Sequence, residues 1–420
     1  MIPIHRRSFL GSTFGGVASA VLLGSSRAIA EDPASTASTL FNGEGYDPNT
    51  LFLTWQRDPT TTMTVQWLAP ETSEDKTIHC KSQIGPVLQQ AKTIIKPYPD
   101  TELKVHRADL TGLAPGSEYE FQIGSSSPVF RFRTMPAKAT NAIQFVSGGD
   151  SGVGDHAIAN NILAAKQEPY FALLGGDLAY DNGRSPETFT QFLQNYRAHM
   201  VDPHGRLIPM VSCIGNHEVN GGYEGKRSDS PHYLSVFDGL FSERTYGVLD
   251  IGDYLSVVLL DTNHIAPVAG EQTDWLARTL AERQERPHLI VANHVPAYPS
   301  HRPLDGGTGE DQRSHWSPLF ERYKVDVVLE HHDHTFKRTH PLTGGLKDAN
   351  GVLYLGDGSW GKIRPPTPPE GRPYLAAAAE AYHLSVHRLE GEQQFHVALE
   401  DTGKVADVSV TKSKRPSRRG

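Results

Sequence analysis

Five stretches of this chain share one construction, a short apolar run that ends abruptly in a polar motif. The runs lie at 143–146, 171–174, 210–214, 289–292 and 325–329. The motifs that follow them are GGDSG around Asp150, GGDLAY around Asp177, GNHE around Asn216, ANHVPAY around His294 and HHDHTFKR around His332. Runs this short, rich in Val, Ile, Leu and Phe, read as strands covered on both faces, which implies a sheet flanked by helices. In such a sheet the loops at the carboxyl ends of the strands converge on one crevice. That crevice then collects Asp150, Asp177, Tyr180, Asn216, His294, His332 and His334. The set holds more donors than one tetrahedral ion takes, mixes hard oxygen with borderline nitrogen, and includes carboxylates able to bridge. It suits two metal ions better than one.

Each of these residues also has a plainer reading. Asp150 and Asp177 stand at strand-to-helix turns, where Asp often caps a helix. Asn216 alone could serve a turn, and Tyr180 alone could be a packed aromatic. His332 and His334, two apart after an apolar strand, point the same way from an extended segment, as a shared site requires. His331 and His340 read as surface or supporting residues. Fourteen of the twenty histidines fall between 141 and 340, so the metal chemistry belongs to that part of the chain.

The N-terminus reads as an export signal. Arg6 and Arg7 precede Ser8, Phe9 and Leu10, an apolar stretch runs to Leu23, and Ala28, Ile29 and Ala30 form a small-residue cleavage site. The pattern is twin-arginine, with processing expected after Ala30, no membrane span afterwards and a periplasmic or secreted destination. Residues 31–49 form a flexible leader without a core-forming pattern. From 50 to 136, short alternating strands at 51–55, 63–67, 77–83, 105–110, 119–123 and 129–132, divided by turn residues, predict an all-β sandwich. Residues 141–411 predict an α/β layered domain, with helices at 157–167, 186–199 and 272–283, a proline-rich loop at 363–375, and closing antiparallel strands at 384–389, 394–399 and 405–410. Residues 412–420 read as a basic disordered tail.

Net charge is -8, and excluding the basic signal and tail leaves a body of -16. That acidity argues against nucleic acid as a partner and leaves a small phosphorylated molecule, drawn by bound cations, as the expected substrate. The two cysteines, Cys80 and Cys213, lie in different expected domains, and Cys213 sits inside an apolar run as a buried thiol.

The five motifs in this order, with Tyr180 three residues after Asp177, resemble the purple acid phosphatase branch of the calcineurin-like metallophosphoesterases. The segment LTGLAPGSEYEFQI resembles the late strands of fibronectin type III domains, and that family carries such a sandwich before its catalytic domain. The resemblance implies an acid phosphatase acting on phosphate monoesters. It implies that Asp150, Tyr180 and His334 hold Fe(III), that Asn216, His294 and His332 hold a divalent Fe, Zn or Mn, and that Asp177 bridges them. It also implies a catalytic role for His217, with His301 the candidate for a second catalytic histidine. Two features depart from the family pattern. Only His301 with Arg302 stands where plant enzymes carry a histidine pair, so either of the two could act on the ester. Glu330 and His331 replace the usual glycine before the last motif. A phosphodiesterase or nucleotidase on the same scaffold, and a cell-surface binding module with a residual site, remain as rival functions.

Overall fold

The computed structural model describes residues 46–71, 76–83 and 88–415, so the expected signal and most of the leader lie outside the described residues. The N-terminal part is a sandwich of two antiparallel four-stranded sheets. One runs in the order Phe52–Thr54, Met63–Pro70, Leu103–Leu110, Ile94–Pro97, and the other Leu88–Ala91, Ile78–Ser82, Glu118–Ile123, Phe130–Arg133. Its core is aromatic: Tyr119 stacks on Phe132 at 5.3 Å, and Trp67 stacks on the buried His106 at 5.2 Å. The strands at Leu88–Ala91 and Ile94–Pro97 were not expected. The first carries Gln89 and Gln90, and the second exposes Ile94 and Ile95, so neither shows the apolar alternation that marks a half-buried strand.

The strands of the second part do not form the single sheet expected but two. A six-stranded sheet has the order Met210–Ser212, Ala172–Leu174, Ile143–Gly148, His383–Glu390, Gln393–Glu400, Val405–Lys412. A seven-stranded sheet has the order Gly247–Ile251, Leu255–Leu259, His288–Asn293, Val327–Glu330, Leu353–Asp357, Phe336–Thr339, Leu375–Ala379. The first three motifs end parallel strands of one sheet, and the last two end parallel strands of the other. An apolar run shows that a strand is buried on both faces but not which strand it pairs with. The sheets are tied together where His288 bonds Gly391 O and Gln394, and where Arg338 pairs with Asp407. Helices Glu271–Glu282, Gly307–His315 and Ser317–Arg322 cover the seven-stranded sheet, burying Leu276, Leu280, Trp316 and Phe320 against Leu289, Val291 and Val328.

The expected helices occur within two residues of their predicted ends. Pro186–His199 begins at a Ser185 cap with proline in its first turn. The proline-rich loop holds one short 3₁₀ turn, Pro369–Gly371. The basic C-terminus does not start as a free tail. Lys412 completes the last strand, and Arg415 is buried, with Nη1 3.3 Å from Asp326 Oδ2. Its stem packs while its guanidinium finds a buried acid, which a bare count of charges does not reveal. The two parts also touch: Gln66 Nε2 donates to Val236 O at 2.8 Å, and Arg107 pairs with Asp238. Both cysteines are free and buried.

Candidate metal centre

All seven expected ligands and His217 meet where the strands of both sheets end. The capping alternative for the two aspartates does not hold, because the helix after Asp150, Asp155–Ala165, has Gly154 as its cap with no side-chain bond and the helix after Asp177 is capped by Ser185. Five of the seven adopt left-handed backbone: Asp150 (φ 58°), Asp177 (52°), Tyr180 (63°), His332 (68°) and His334 (58°). Such values are uncommon for residues other than glycine and cluster at functional sites. Close approach explains the glycines. A Cβ on Gly175 would lie 1.9 Å from the ring of His331, and one on Gly148 would lie 2.2 Å from Trp360. His331 is therefore not a surface residue but the buried support beneath the first two motifs.

The candidate ligands form two groups. In one, Asp150 Oδ1 lies 3.2 Å from the Tyr180 hydroxyl and 2.9 Å from His334 Nε2, which is 3.0 Å from the same hydroxyl. In the other, His294 Nε2 lies 3.1 Å from Asn216 Oδ1 and 3.1 Å from His332 Nδ1. Asp177 Oδ2 is 3.2 Å from His294 Nε2. One donor atom from each of Asp150, Asp177, His294 and His332 falls within 4.8 Å of all the others.

These atoms cannot all satisfy one another with protons. His294 donates from Nδ1 to Gly175 O at 2.8 Å, so its Nε2, where a metal ion would replace a proton, is aimed into the crevice. Nε2 there faces a carboxylate, an amide oxygen and another imidazole, and a single proton could serve only one. Asp177 Oδ2 is buried with His294 Nε2 at 3.2 Å and no well-directed hydrogen bond. Buried acceptors turned toward each other are costly unless a cation lies between them. The donor set thus fits a pair of metal ions.

Without cations, the electrostatics show the same demand. Burial would raise the Asp177 pKa, but His294, His217 and His332 outweigh it and hold the carboxyl below its ordinary value. Burial would lower His294, yet Asp177 and Asp150 push it up to about 9. Burial, with the charges of His294 and Arg302, holds His332 well below its ordinary value. Burial and the two aspartates hold the Tyr180 phenol well above 10.

Several supporting residues were not singled out from the sequence. Glu218 accepts the backbone N–H groups of Asp177, Leu178 and Gly215, each at 2.7 Å, and so clamps the second and third motifs together. Its place in GNHE was the available signal. Asn182 engages Nδ1 of His217, whose Nε2 then faces Asp177 Oδ2 at 3.9 Å. Tyr223 places its hydroxyl 3.3 Å from His332 Nε2, and nothing in its sequence context marks it. His301 is turned elsewhere: its Nδ1 donates to Pro365 O at 2.8 Å. Arg302 lies closer to the ligands, with Nη2 donating to His332 O at 3.2 Å.

Comparison with known proteins agrees with this geometry. Residues 48–134 match the purple acid phosphatase N-terminal domain, and residues 148–336 match the calcineurin-like phosphoesterase family. Purple acid phosphatase 21 of Arabidopsis thaliana is 27% identical over 271 residues, covering 61% of this chain but only 58% of that protein. Acid phosphatase type 7 of Mus musculus is 26% identical over 411 residues, covering 86% of this chain and 90% of that protein. The structure of purple acid phosphatase PPD1 from yellow lupin seeds superposes with a TM-score of 0.71 at 18% identity, covering 88% of this chain and 74% of that one. The chain carries a calcineurin-like metallophosphoesterase domain behind a purple acid phosphatase N-terminal domain, the arrangement of purple acid phosphatases.

Proposed function

We propose that this two-domain metallophosphoesterase is an exported acid phosphatase that hydrolyses phosphate monoesters at an Fe(III)–M(II) centre, M being Fe, Zn or Mn. The observation that carries the reading is the buried set of mutually facing donors around Asp177 Oδ2. Asp150, Tyr180 and His334 would hold the ferric ion, since phenolate and carboxylate are hard anionic donors. Asn216, His294 and His332 would hold the divalent one, and Asp177 would bridge. When bound, such a pair supplies an acidified water as nucleophile and neutralises the phosphoryl oxygens.

The chain's own residues orient and protonate. Asn182 fixes His217 so that its Nε2 faces the centre, where it can hold a proton for the departing oxygen. Arg302, anchored on His332 O and 3.8 Å from Asp333, presents a cation beside the ligands and can orient a phosphoryl oxygen. A role for His301 at the leaving group requires its ring to turn away from Pro365 O. Substitution of His301 and of Arg302 separately, with metal content measured in each, decides between them: the functional residue is the one whose loss depresses turnover without loss of metal.

Turnover of p-nitrophenyl phosphate against its bis-ester, from acidic to neutral pH on metal-analysed protein, tests the whole reading. Preference for the bis-ester would make the chain a phosphodiesterase. Inactivity of the metal-replete protein on both would make it a binding module with a residual site. A visible phenolate-to-iron charge-transfer band that vanishes in Tyr180→Phe tests the ferric assignment, and iron-replete protein without such a band would refute it. The signal containing Arg6 and Arg7 supports export, and N-terminal sequencing of the exported protein should begin after Ala30.

A further inference from the structure

The turn at 180–185 carries two parts of the candidate centre, the Tyr180 phenol and the Asn182 side chain that engages His217. Three of its residues are left-handed: Tyr180 (φ 63°), Asn182 (55°) and Gly183 (63°). Backbone of this kind persists only where its surroundings hold it. Asn182 N donates to His217 O at 2.9 Å, and between the two left-handed residues the Asp181 carboxylate accepts from His232 Nδ1 at 2.6 Å. Asp181 and His232 are both buried.

His232, in the helix Pro231–Phe237, is backed in turn by the N-terminal sandwich. The strands Ile94–Pro97 and Leu103–Leu110 are joined by a tight connection in which Tyr98 N donates to Leu103 O at 3.0 Å. From it the buried Tyr98 places its ring 5.6 Å from that of His232 and its hydroxyl 3.5 Å from Pro186 O, the first residue of the helix that follows the turn. Asp100 Oδ2 lies 3.9 Å from His232 Nε2, which has no hydrogen-bond partner among the described residues. The sandwich therefore braces the turn at two points, at Asp181 through His232 and at Pro186 through Tyr98.

We infer that His232, backed by Tyr98 of the sandwich, is a positioning residue for the centre: by holding Asp181 it holds the turn, and through Asn182 it sets the direction of His217. The inference rests on the catalytic reading of His217 and gives the N-terminal domain a part in it. Among the described residues His232 makes no hydrogen bond to a candidate ligand, so its substitution leaves the donor set in place.

The test uses metal-loaded protein and p-nitrophenyl phosphate. His232→Leu removes the donor, whereas His232→Asn keeps a donor near the Nδ1 position and Asp181→Asn keeps the acceptor. His232→Leu should lower kcat roughly tenfold to a hundredfold, the scale of a displaced catalytic group, with KM and metal content little changed. Both asparagine variants should recover most of that loss. Added to His217→Ala, His232→Leu should cost nothing further, because it acts through His217. A full additional loss in the double variant, or loss of metal in parallel with turnover, would show a purely structural role and overturn the inference. Tyr98→Leu should show the same pattern in smaller measure, and it stands in where His232→Leu does not fold. Should the wild type turn over no ester, the phosphatase reading fails, and the nitrogen NMR signal of His217 Nδ1 in labelled, zinc-loaded protein still decides the positioning role. That signal, assigned by its absence in His217→Ala, should shift or broaden in His232→Leu and hold in Asp181→Asn; a signal that His232→Leu leaves unmoved would overturn the inference.

Discussion

Two buried polar clusters adjoin the end of the strand Val327–Glu330 and obey opposite rules. Glu330 and Lys337, both fully buried, pair at 2.5 Å. Glu330 Oε1 also accepts from Ala297 N at 2.7 Å, and the Lys337 ammonium also donates to Tyr298 O. The lysine stem crosses Gly356, where a Cβ would come within 2.3 Å of it. Charge, hydrogen bonds and space all close within the protein. Two residues beyond Glu330, His332 Nδ1, Asn216 Oδ1 and Asp177 Oδ2 all face the one Nε2 of His294, which can serve only one of them. Burial and ionisable residues are common to both clusters. What separates structure from site is whether the polar groups satisfy one another.

The largest expected effect falls on the open cluster. Asp177→Ala should cost metal occupancy and roughly a thousandfold or more in turnover, since it removes charge at the reacting centre. Retention of both metals would refute the bridging role. In the closed cluster, Glu330→Ala should cost about 3–5 kcal/mol in unfolding experiments by stranding Lys337, whereas the double variant Glu330→Leu with Lys337→Met should be close to neutral. A large loss in the double variant would mean the pair is more than self-satisfied. Chelation should next separate the clusters: stripping metal from protein held at 100 to 1,000 times the metal Kd should remove about 3–4 kcal/mol of stability. In the stripped protein, Asp177→Ala should remain destabilising at neutral pH, because His294, His217 and His332 favour the ionised carboxyl there, and a stabilised variant would show that burial outweighs them.

The smallest effect concerns His106 in the sandwich, whose pKa burial holds below its ordinary value of 6.5. The unfolded chain binds this proton more readily than the folded one. His106 therefore contributes its full stability above about pH 6.5 and loses it as pH falls toward the folded pKa. Unfolding measured across that range should show a shallow acid slope that flattens in His106→Phe.

Much of this could be read from residues. The apolar runs located the strands that end at the crevice, and their polar ends located the side chains that meet there, because both signals are local. Sheet membership was not legible, since Ala172–Leu174 and His288–Asn293 look alike in composition yet pair in different sheets. Tyr223 and Asn182 become site residues only through tertiary approach to His332 and His217. Arg415 looked like tail charge because its partner, Asp326, is distant in sequence. His331 looked peripheral because its packing depends on glycines in two other motifs.

The left-handed backbone at Asp150, Asp177, Tyr180, His332 and His334 bears on the order of assembly. For residues with a Cβ, this conformation costs roughly 1–2 kcal/mol each, so five together approach the net stability of a whole domain. An incompletely folded chain has no means of holding them. Packing of both sheets, and not an ion as in a small metal-nucleated domain, is therefore what must offset that cost, and metal-free protein should keep these five conformations.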